Sequence, residues 1–280
     1  MALQPMNMNQ KSIQLFGQPK VIAEELLHNI ERIQSGAIST EALQELDINT
    51  NCILAGPPGV GKTAIANYLG QEMIMRGLGM SYTVNCSSLL SSDYGGSPQN
   101  VANLFASLQQ RAEETPLFVF IDEADAALAH RTESNDHRDG NRALTEFLKG
   151  FDSLDSTRVF IIIATNRIDI LDPAIIRRFI QTHAISPPPK TVLSEYMNFA
   201  NERYDIQMTS ETFQTLLGEW SGEGKTIADL KRFYGSWMLS GKKKIDDLHL
   251  MDHSPKKKRV NLREMIGHFV RRNRLDTSVV

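Results

Sequence analysis

The 280-residue sequence predicts an α/β domain, with a parallel sheet sandwiched between helices, followed by a small all-α domain. The sheet is predicted by three wholly apolar runs, at residues 52–55, 117–121 and 159–164. These runs alternate with amphipathic segments, and apolar strands of this kind are typical of a parallel sheet that is buried on both faces. After Pro187, Pro188 and Pro189 the apolar residues recur at helical spacing only, which predicts the second domain.

The proline run also marks the main domain boundary, because consecutive prolines form a stiff, extended linker. A chain of 280 residues is long enough for one large and one small domain. We therefore predict a flexible polar arm over residues 1–14, a large α/β domain over 15–187, a helical domain over 188–245 and a basic segment over 246–280.

The remaining elements follow from apolar spacing and turn residues. Ser97 is expected to cap a helix, with Pro98 in the first turn. The other helices of the large domain are predicted over 20–34, after Thr63, around 144–151 and over 173–179, with further strands over 81–86 and 181–186. In the second domain, helices are predicted over 192–203, 210–219 and 226–239.

Composition limits the function classes. Forty-one per cent of the residues are hydrophobic, and no apolar stretch approaches the length of a membrane span. The N-terminus lacks a basic region followed by an apolar one, so we expect no secretion signal. Cys52 and Cys86 both lie in strand-like runs, where buried thiols are usual, and this predicts a reducing, cytoplasmic setting.

Basic residues cluster near the C-terminus, although the net charge of the chain is −3. The run PKKKRV at 255–260 resembles a nuclear import signal, and basic runs also bind nucleic acid. We favour a solvated segment as the interpretation. An adaptor contact, a nucleic-acid contact and a nuclear location are the alternatives.

The stretch NCILAGPPGVGKT, at residues 51–63, is the strongest functional signal in the chain. Glycines let backbone N–H groups approach a phosphate chain, and a helix that starts behind them adds its positive dipole end. Lys62 is placed to reach the outer phosphates, and Thr63 has the hydroxyl that a bound Mg²⁺ requires. The predicted nucleotide-binding residues are Gly56, Pro57, Pro58, Gly59, Val60, Gly61, Lys62, Thr63 and Ala64.

Polar residues also follow the other two apolar runs, and the carboxyl ends of parallel strands share one edge of a sheet. Asp122 can hold Mg²⁺ and Glu123 can polarise an attacking water, as phosphoryl transfer requires. Asn166 is placed for a polar contact with the γ-phosphate or the water. The letters DEAD at 122–125 also occur in RNA helicases, but roughly 90 residues after the prolines are too few for a second motor domain.

Four motifs resemble those of AAA ATPases and occur in the family's order: GPPGVGKT, FVFIDEADAAL, IIIATNRIDILDPAIIRRF and SGEGKTIADLKRF. They are similar to Walker A, Walker B, sensor 1 with arginine fingers, and the lid. The resemblance, over about residues 15–240, implies a P-loop NTPase sheet followed by a helical lid over 188–245. It also implies ATP and Mg²⁺ as cofactors, hydrolysis of ATP to ADP and phosphate, and a homo-oligomeric ring, usually a hexamer, that remodels or unfolds a protein client.

The same resemblance assigns roles to matching residues. Arg177 and Arg178 would be fingers that reach the site of a neighbouring subunit. The family commonly separates its two finger arginines, but here they are adjacent, so either one can be the acting finger. In the remaining assignments, Lys62 and Thr63 would bind phosphate and Mg²⁺, Asp122 would coordinate Mg²⁺, Glu123 would be the catalytic base and Asn166 would be sensor 1.

The family's pore loop carries an aromatic residue, an apolar residue and Gly, and the matching stretch here is Asp93-Tyr94-Gly95-Gly96. Tyr94 and Gly95 are the candidates for gripping a polypeptide, and an ordinary surface loop is the alternative. Two function classes stay open. A protein-remodelling ATPase is favoured by the lid motif, Tyr94 and the acidic net charge, whereas a DNA-associated AAA+ ATPase, such as a replication or transposition helper, is favoured by the basic C-terminal segment alone.

Overall fold

The computed structural model describes residues 3–6, 13–89, 96–124, 128, 138–239 and 244–245. Its main sheet has six strands in the order β1-β3-β4-β5-β2-β6. All pairs are parallel except β1 with β3, so the predicted parallel sheet is confirmed. The strands are β1 Leu3–Pro5, β2 Cys52–Ala55, β3 Met80–Asn85, β4 Leu117–Asp122, β5 Val159–Thr165 and β6 Gln181–Ala184.

Helices cover both faces of this sheet. Alternate residues of a strand point to opposite faces, so each strand contributes side chains to two apolar cores. Ile53 of β2 belongs to one apolar core, together with Leu104 and Phe147. Its neighbour Leu54 belongs to the other core, together with Leu26 and Leu69. The helices of this domain are α1 Gln18–Gln34, α2 Thr40–Glu45, α3 Lys62–Met75, α4 Gly96–Glu114, α5 Arg138–Asp152 and α6 Pro173–Ile176.

The strand register brings the polar strand ends together. Ala55 at the end of β2 pairs with Thr165 at the end of β5, and Ile121 of β4 pairs with Ile163 of β5. The loop after β2, the carboxylates after β4 and Asn166 after β5 therefore lie on three adjacent strands at one edge of the sheet.

The second domain packs three helices around their own core, which includes Leu193, Met197, Leu216 and Leu230. A two-residue parallel pair joins Met208 to Ile245, and Ile245 is buried in the same core. The sequence predicted helices alone here, because a pair this short leaves no alternating pattern. The elements are α7 Lys190–Tyr204, β7 Gln207–Met208, α8 Ser210–Gly222, α9 Ile227–Leu239 and β8 Lys244–Ile245.

The N-terminal region departs from the sequence prediction. A flexible arm was predicted over residues 1–14, but residues 3–5 pair with β3, Leu3 is buried, and the Met6 N–H donates to the Ser81 carbonyl at 2.9 Å. An edge strand of this kind is held mainly by backbone hydrogen bonds, which side-chain patterns do not reveal.

Two helix starts also differ from expectation. Helix α4 begins at Gly96, so Ser97 lies within the first turn and is buried, rather than preceding the helix as a cap. The unpredicted helix α2 has Ser39 before it, and the Ser39 hydroxyl accepts from the Ala42 N–H at 3.2 Å. Within the described ranges, no helix combines the length and apolar character needed to cross a bilayer.

The contact between α4 and α5 depends on Gly150. A Cβ at this position would lie 2.3 Å from Cγ of Phe105, so any side chain forces the two helices apart. We expect Gly150→Ala to lower the free energy of unfolding by about 1–3 kcal/mol, as overpacking of cores usually does. Denaturant titration measures this, with Gly218→Ala as the control.

Gly218 is an exposed position within α8, and no atom lies within 4 Å of the place that a Cβ would occupy, so alanine there should be neutral or slightly stabilising. Equal effects of the two substitutions would contradict the packing argument.

Candidate active site

The loop between β2 and α3 has the strand–loop–helix geometry that the sequence predicted, with α3 beginning at Lys62. Gly59 has φ +85°, and a Cβ on it would lie 2.8 Å from Oγ1 of Thr226. A larger residue would therefore be strained and would also collide with the second domain. The loop consequently packs directly against the start of α9.

Thr226 and Asp229 form a capping box at the start of α9, and this fixes the position of Thr226 beside Gly59. Its N–H and its hydroxyl both donate to the Asp229 carboxylate at 2.8 Å, and its hydroxyl accepts from the Asp229 N–H at 3.3 Å. Burial alone would raise the pKa of Asp229, but the hydrogen bonds from Thr226 and the positive charges of Arg232 and Lys225 together lower the pKa below its ordinary value. The helix end that faces Gly59 is therefore well ordered.

Lys62 connects the loop to the end of β5. Its buried ammonium group donates to the carbonyls of Gly56 at 2.7 Å and Pro57 at 3.0 Å, and to Oδ1 of Asn166 at 2.8 Å. The structure thus brings Lys62 and Asn166 together, as their strand positions predicted. The direct contact between them was not predicted.

Thr63 and Asp122 also meet at this edge. The Thr63 hydroxyl donates to Oδ2 of Asp122 at 3.2 Å, so two oxygen donors of the kind that Mg²⁺ prefers stand side by side. Mg²⁺ is commonly held by one or two carboxylates together with substrate phosphates. The residues therefore fit a magnesium–nucleotide complex.

Glu123 has an unusual backbone conformation for a residue with a side chain, with φ +51°. Two hydrogen bonds support it: the Glu123 N–H donates to Oδ1 of Asp122 at 2.9 Å, and the next N–H, of Ala124, donates to the Ala164 carbonyl at 3.0 Å. The backbone after β4 is therefore fixed, and strained positions of this kind cluster at functional sites.

Arg177 and Arg178 lie at the opposite end of the strands, where the parallel strands β2 and β6 begin. They precede β6, whose first residue Gln181 pairs with Cys52 at the start of β2. The glycine-rich loop between β2 and α3, which we call the phosphate loop, instead follows the end of β2. The fold therefore does not bring either arginine to Lys62 of the same chain.

The two arginines have different surroundings. The Arg178 guanidinium donates to both Asp152 carboxylate oxygens at 2.6 Å and to the Ala174 carbonyl at 2.9 Å, and its hydrogen bonds lower the pKa of Asp152. Arg177 is exposed, and its side chain forms no hydrogen bond or ion pair with any residue that the structure describes. Both line an open groove of about 700 Å³.

An apolar cleft of about 120 Å³ lies beside the phosphate loop and was missed by the sequence analysis. Gln18 closes one side, since its amide donates to the Ala184 carbonyl at 2.8 Å and accepts from the Ser186 N–H at 3.2 Å. An apolar cleft of this kind next to a phosphate loop suits a flat heterocycle. Its lining comes from four separate parts of the chain: Phe16, Gln18, Pro19, Val60, Ser186, Pro187, Pro188, Pro189, Val192 and Ile227.

The remaining predicted positions lie outside the described residues. These are Tyr94 and Gly95 of the candidate pore loop and the basic run at 255–260. Their roles stay predictions.

A parallel sheet in which an inner strand leads into a glycine-rich loop and a helix is the fold of P-loop nucleotide-binding domains. Residues 52–186 match the model of the "ATPase family associated with various cellular activities (AAA)". The segment 52–186 therefore belongs to this AAA family of ATPases.

The chain is also similar to curated relatives. It is 33% identical over 168 residues to spastin of Drosophila willistoni, which covers 59% of this chain and 21% of that protein. It is 32% identical over 175 residues to the probable spastin homolog spas-1 of Caenorhabditis briggsae, which covers 61% of this chain and 31% of that protein. The matched region is thus less than a third of either relative.

Among solved structures, the fold resembles a chain of the E. coli MS115-1 HORMA:CdnC:Trip13 complex, with a TM-score of 0.62 and 19% identity. The likeness covers 72% of this chain and 73% of that chain. It supports the α/β fold with its helical second domain.

Proposed function

We propose that the chain hydrolyses Mg²⁺-bound ATP to ADP and phosphate. We further propose that it assembles into a homo-hexameric ring, which couples this reaction to remodelling of a protein client. The observation that carries the proposal is the convergence of five functional residues at one edge of the sheet, where Lys62 donates to Asn166, and the Thr63 hydroxyl and the Glu123 backbone N–H donate to Asp122.

The phosphate loop and Lys62 bind the phosphate chain in this proposal. Backbone N–H groups and the start of α3 supply positive partial charge, and Lys62 adds a full charge. Thr63 and Asp122 would hold Mg²⁺, which would supply positive charge to the phosphates. The apolar cleft beside Gln18 receives the base of the nucleotide.

Glu123 acts as the general base. Its carboxylate accepts a proton from the water that attacks the γ-phosphorus, and the fixed backbone at Glu123 restricts where that carboxylate can lie. Asn166 orients the water or the γ-phosphate through its amide. Catalysis of phosphoryl transfer is mostly positioning and charge stabilisation, so the precision of these positions determines the rate.

The arginine positions support a ring. Neither arginine is at the nucleotide edge of its own chain, so an arginine finger has to come from a neighbouring copy. Of the two, we assign this role to Arg177, since Arg178 is engaged by Asp152 and Ala174 while Arg177 is exposed.

A protein client is supported by the similarity to a chain of the HORMA:CdnC:Trip13 complex, which is an assembly of several proteins. Tyr94 and Gly95 are proposed to contact this client. The alternative, a DNA-associated ATPase, depends on the basic C-terminal segment alone. DNA affinity that falls steeply with salt would support that alternative, because phosphate contacts release counterions.

Lys62→Ala tests nucleotide binding directly. The substitution removes the one charge that the loop places against the phosphates, so we expect binding of ATP and ADP to be lost at concentrations that saturate the wild type. Calorimetric titration measures this. Lys149→Ala is the matched control, because Lys149 is an exposed lysine on α5 that pairs with Glu146. Retained affinity in the Lys62 variant would contradict the site assignment.

A further inference from the structure

We propose that Asn166 competes with the nucleotide for Lys62, and that this competition lowers the affinity of the site for ATP and ADP alike. The inference rests on the proposed function, because it concerns the same site. It gives Asn166 a positioning role in binding, in addition to its contact with the γ-phosphate or water.

The first step is a count of hydrogen-bond donors. A lysine ammonium has three N–H donors, and within the described part of the chain Lys62 donates to three acceptors: the carbonyls of Gly56 and Pro57 and Oδ1 of Asn166. A phosphate oxygen can therefore receive a hydrogen bond from Lys62 only when one of these acceptors gives up its own.

The second step identifies which acceptor is displaced. The Gly56 and Pro57 carbonyls are backbone atoms of the loop, and Gly56 is further tied by its N–H to the Thr165 carbonyl at 3.2 Å. Asn166 contributes a side chain, and the residue is exposed, so its amide can rotate towards water without moving the backbone. Of these three acceptors, Asn166 is thus the one that costs least to displace.

The third step concerns the order of events. While Asn166 contacts Lys62, its amide is directed at the lysine. Phosphate binding releases Oδ1, which can then accept a hydrogen bond from the attacking water. Occupancy of the loop and placement of Asn166 are therefore coupled through one hydrogen bond of 2.8 Å.

The test compares the affinities of wild type, Asn166→Ala and Asn166→Asp for ADP and for a non-hydrolysable ATP analogue, by calorimetric titration with Mg²⁺. Removing a competing hydrogen bond to a charged group should tighten both nucleotides by about 3–10-fold in Asn166→Ala. A carboxylate at this position pairs with Lys62 and repels phosphate, so Asn166→Asp should weaken both by about tenfold or more.

ADP is the decisive ligand, because it has no γ-phosphate. A residue that contacts only the γ-phosphate or the attacking water cannot change ADP affinity. Unchanged or weaker ADP binding by Asn166→Ala would therefore overturn the inference, as would unchanged binding by Asn166→Asp. The control is Asn103→Ala, an exposed position on α4, which should bind as wild type does. Failure of the wild type to bind either nucleotide would instead contradict the proposed function.

Discussion

Glu123→Gln is expected to lower ATP turnover by about 10²–10⁴-fold while leaving nucleotide affinity close to that of the wild type. Glutamine has nearly the shape of glutamate but cannot accept the proton of the attacking water. The backbone hydrogen bond from Glu123 to Asp122 is unaffected by the change, so the site should keep its shape. Steady-state ATPase assays and calorimetric titration measure the two effects separately.

Glu146→Gln provides the control for this substitution, since Glu146 lies on α5 and pairs with Lys149 away from the site. It should hydrolyse ATP at the wild-type rate. If Glu123→Gln also did so, another group would have to be the base. The Glu123→Gln variant should also keep ATP and a client protein bound at the same time. A pull-down with this variant that recovers a specific protein in the presence of ATP, and not of ADP, would therefore identify the client.

Arg177→Ala is expected to lower turnover by about 10³-fold at concentrations where the wild type is assembled, because a finger supplied in trans stabilises charge in the transition state. Stability should not change, since Arg177 is exposed. Arg178→Ala should have a smaller effect on turnover and should lower the free energy of unfolding by at most about 1 kcal/mol, because the Asp152 pair is partly exposed and screened.

A mixing experiment tests whether two subunits share each site. Arg177→Ala retains its base, and Glu123→Gln retains its finger, so a mixed ring contains some sites with both intact groups. We expect the mixture to recover part of the wild-type turnover, although each variant alone is inactive. Absence of recovery, or turnover per subunit that does not vary with protein concentration, would contradict a shared site.

The sequence predicted that the polar ends of these strands would lie together, because short-range patterns determine where each strand ends. Apolar strand runs fix where each strand ends, and parallel pairing then brings those ends together. Lys62, Thr63, Asp122 and Asn166 meet for this reason. The glycine spacing of the loop also indicated its conformation, because a position such as Gly59, which lies close to Thr226, cannot hold a larger residue.

Contacts between distant segments could not be predicted in this way. Gln18 bonds to backbone atoms 166 and 168 residues away in the chain, so no local pattern reports them. Strand β1 was missed because backbone pairing at a sheet edge needs no apolar repeat. The adjacent arginines were indistinguishable in the sequence, because only the position of Asp152 shows that Arg178 is already engaged.

The short segment at Leu15 and Phe16 has a consequence for how the protein can be divided. Leu15 is buried in the core of the large domain, and the next side chain, Phe16, is buried in the core of the helical domain, against Tyr196 and Phe199. The recognisable family segment starts 36 residues later than Phe16, at Cys52. The structural unit is therefore larger than the segment by which the family is recognised, and Leu15 and Phe16, which lie outside that segment, join its two cores.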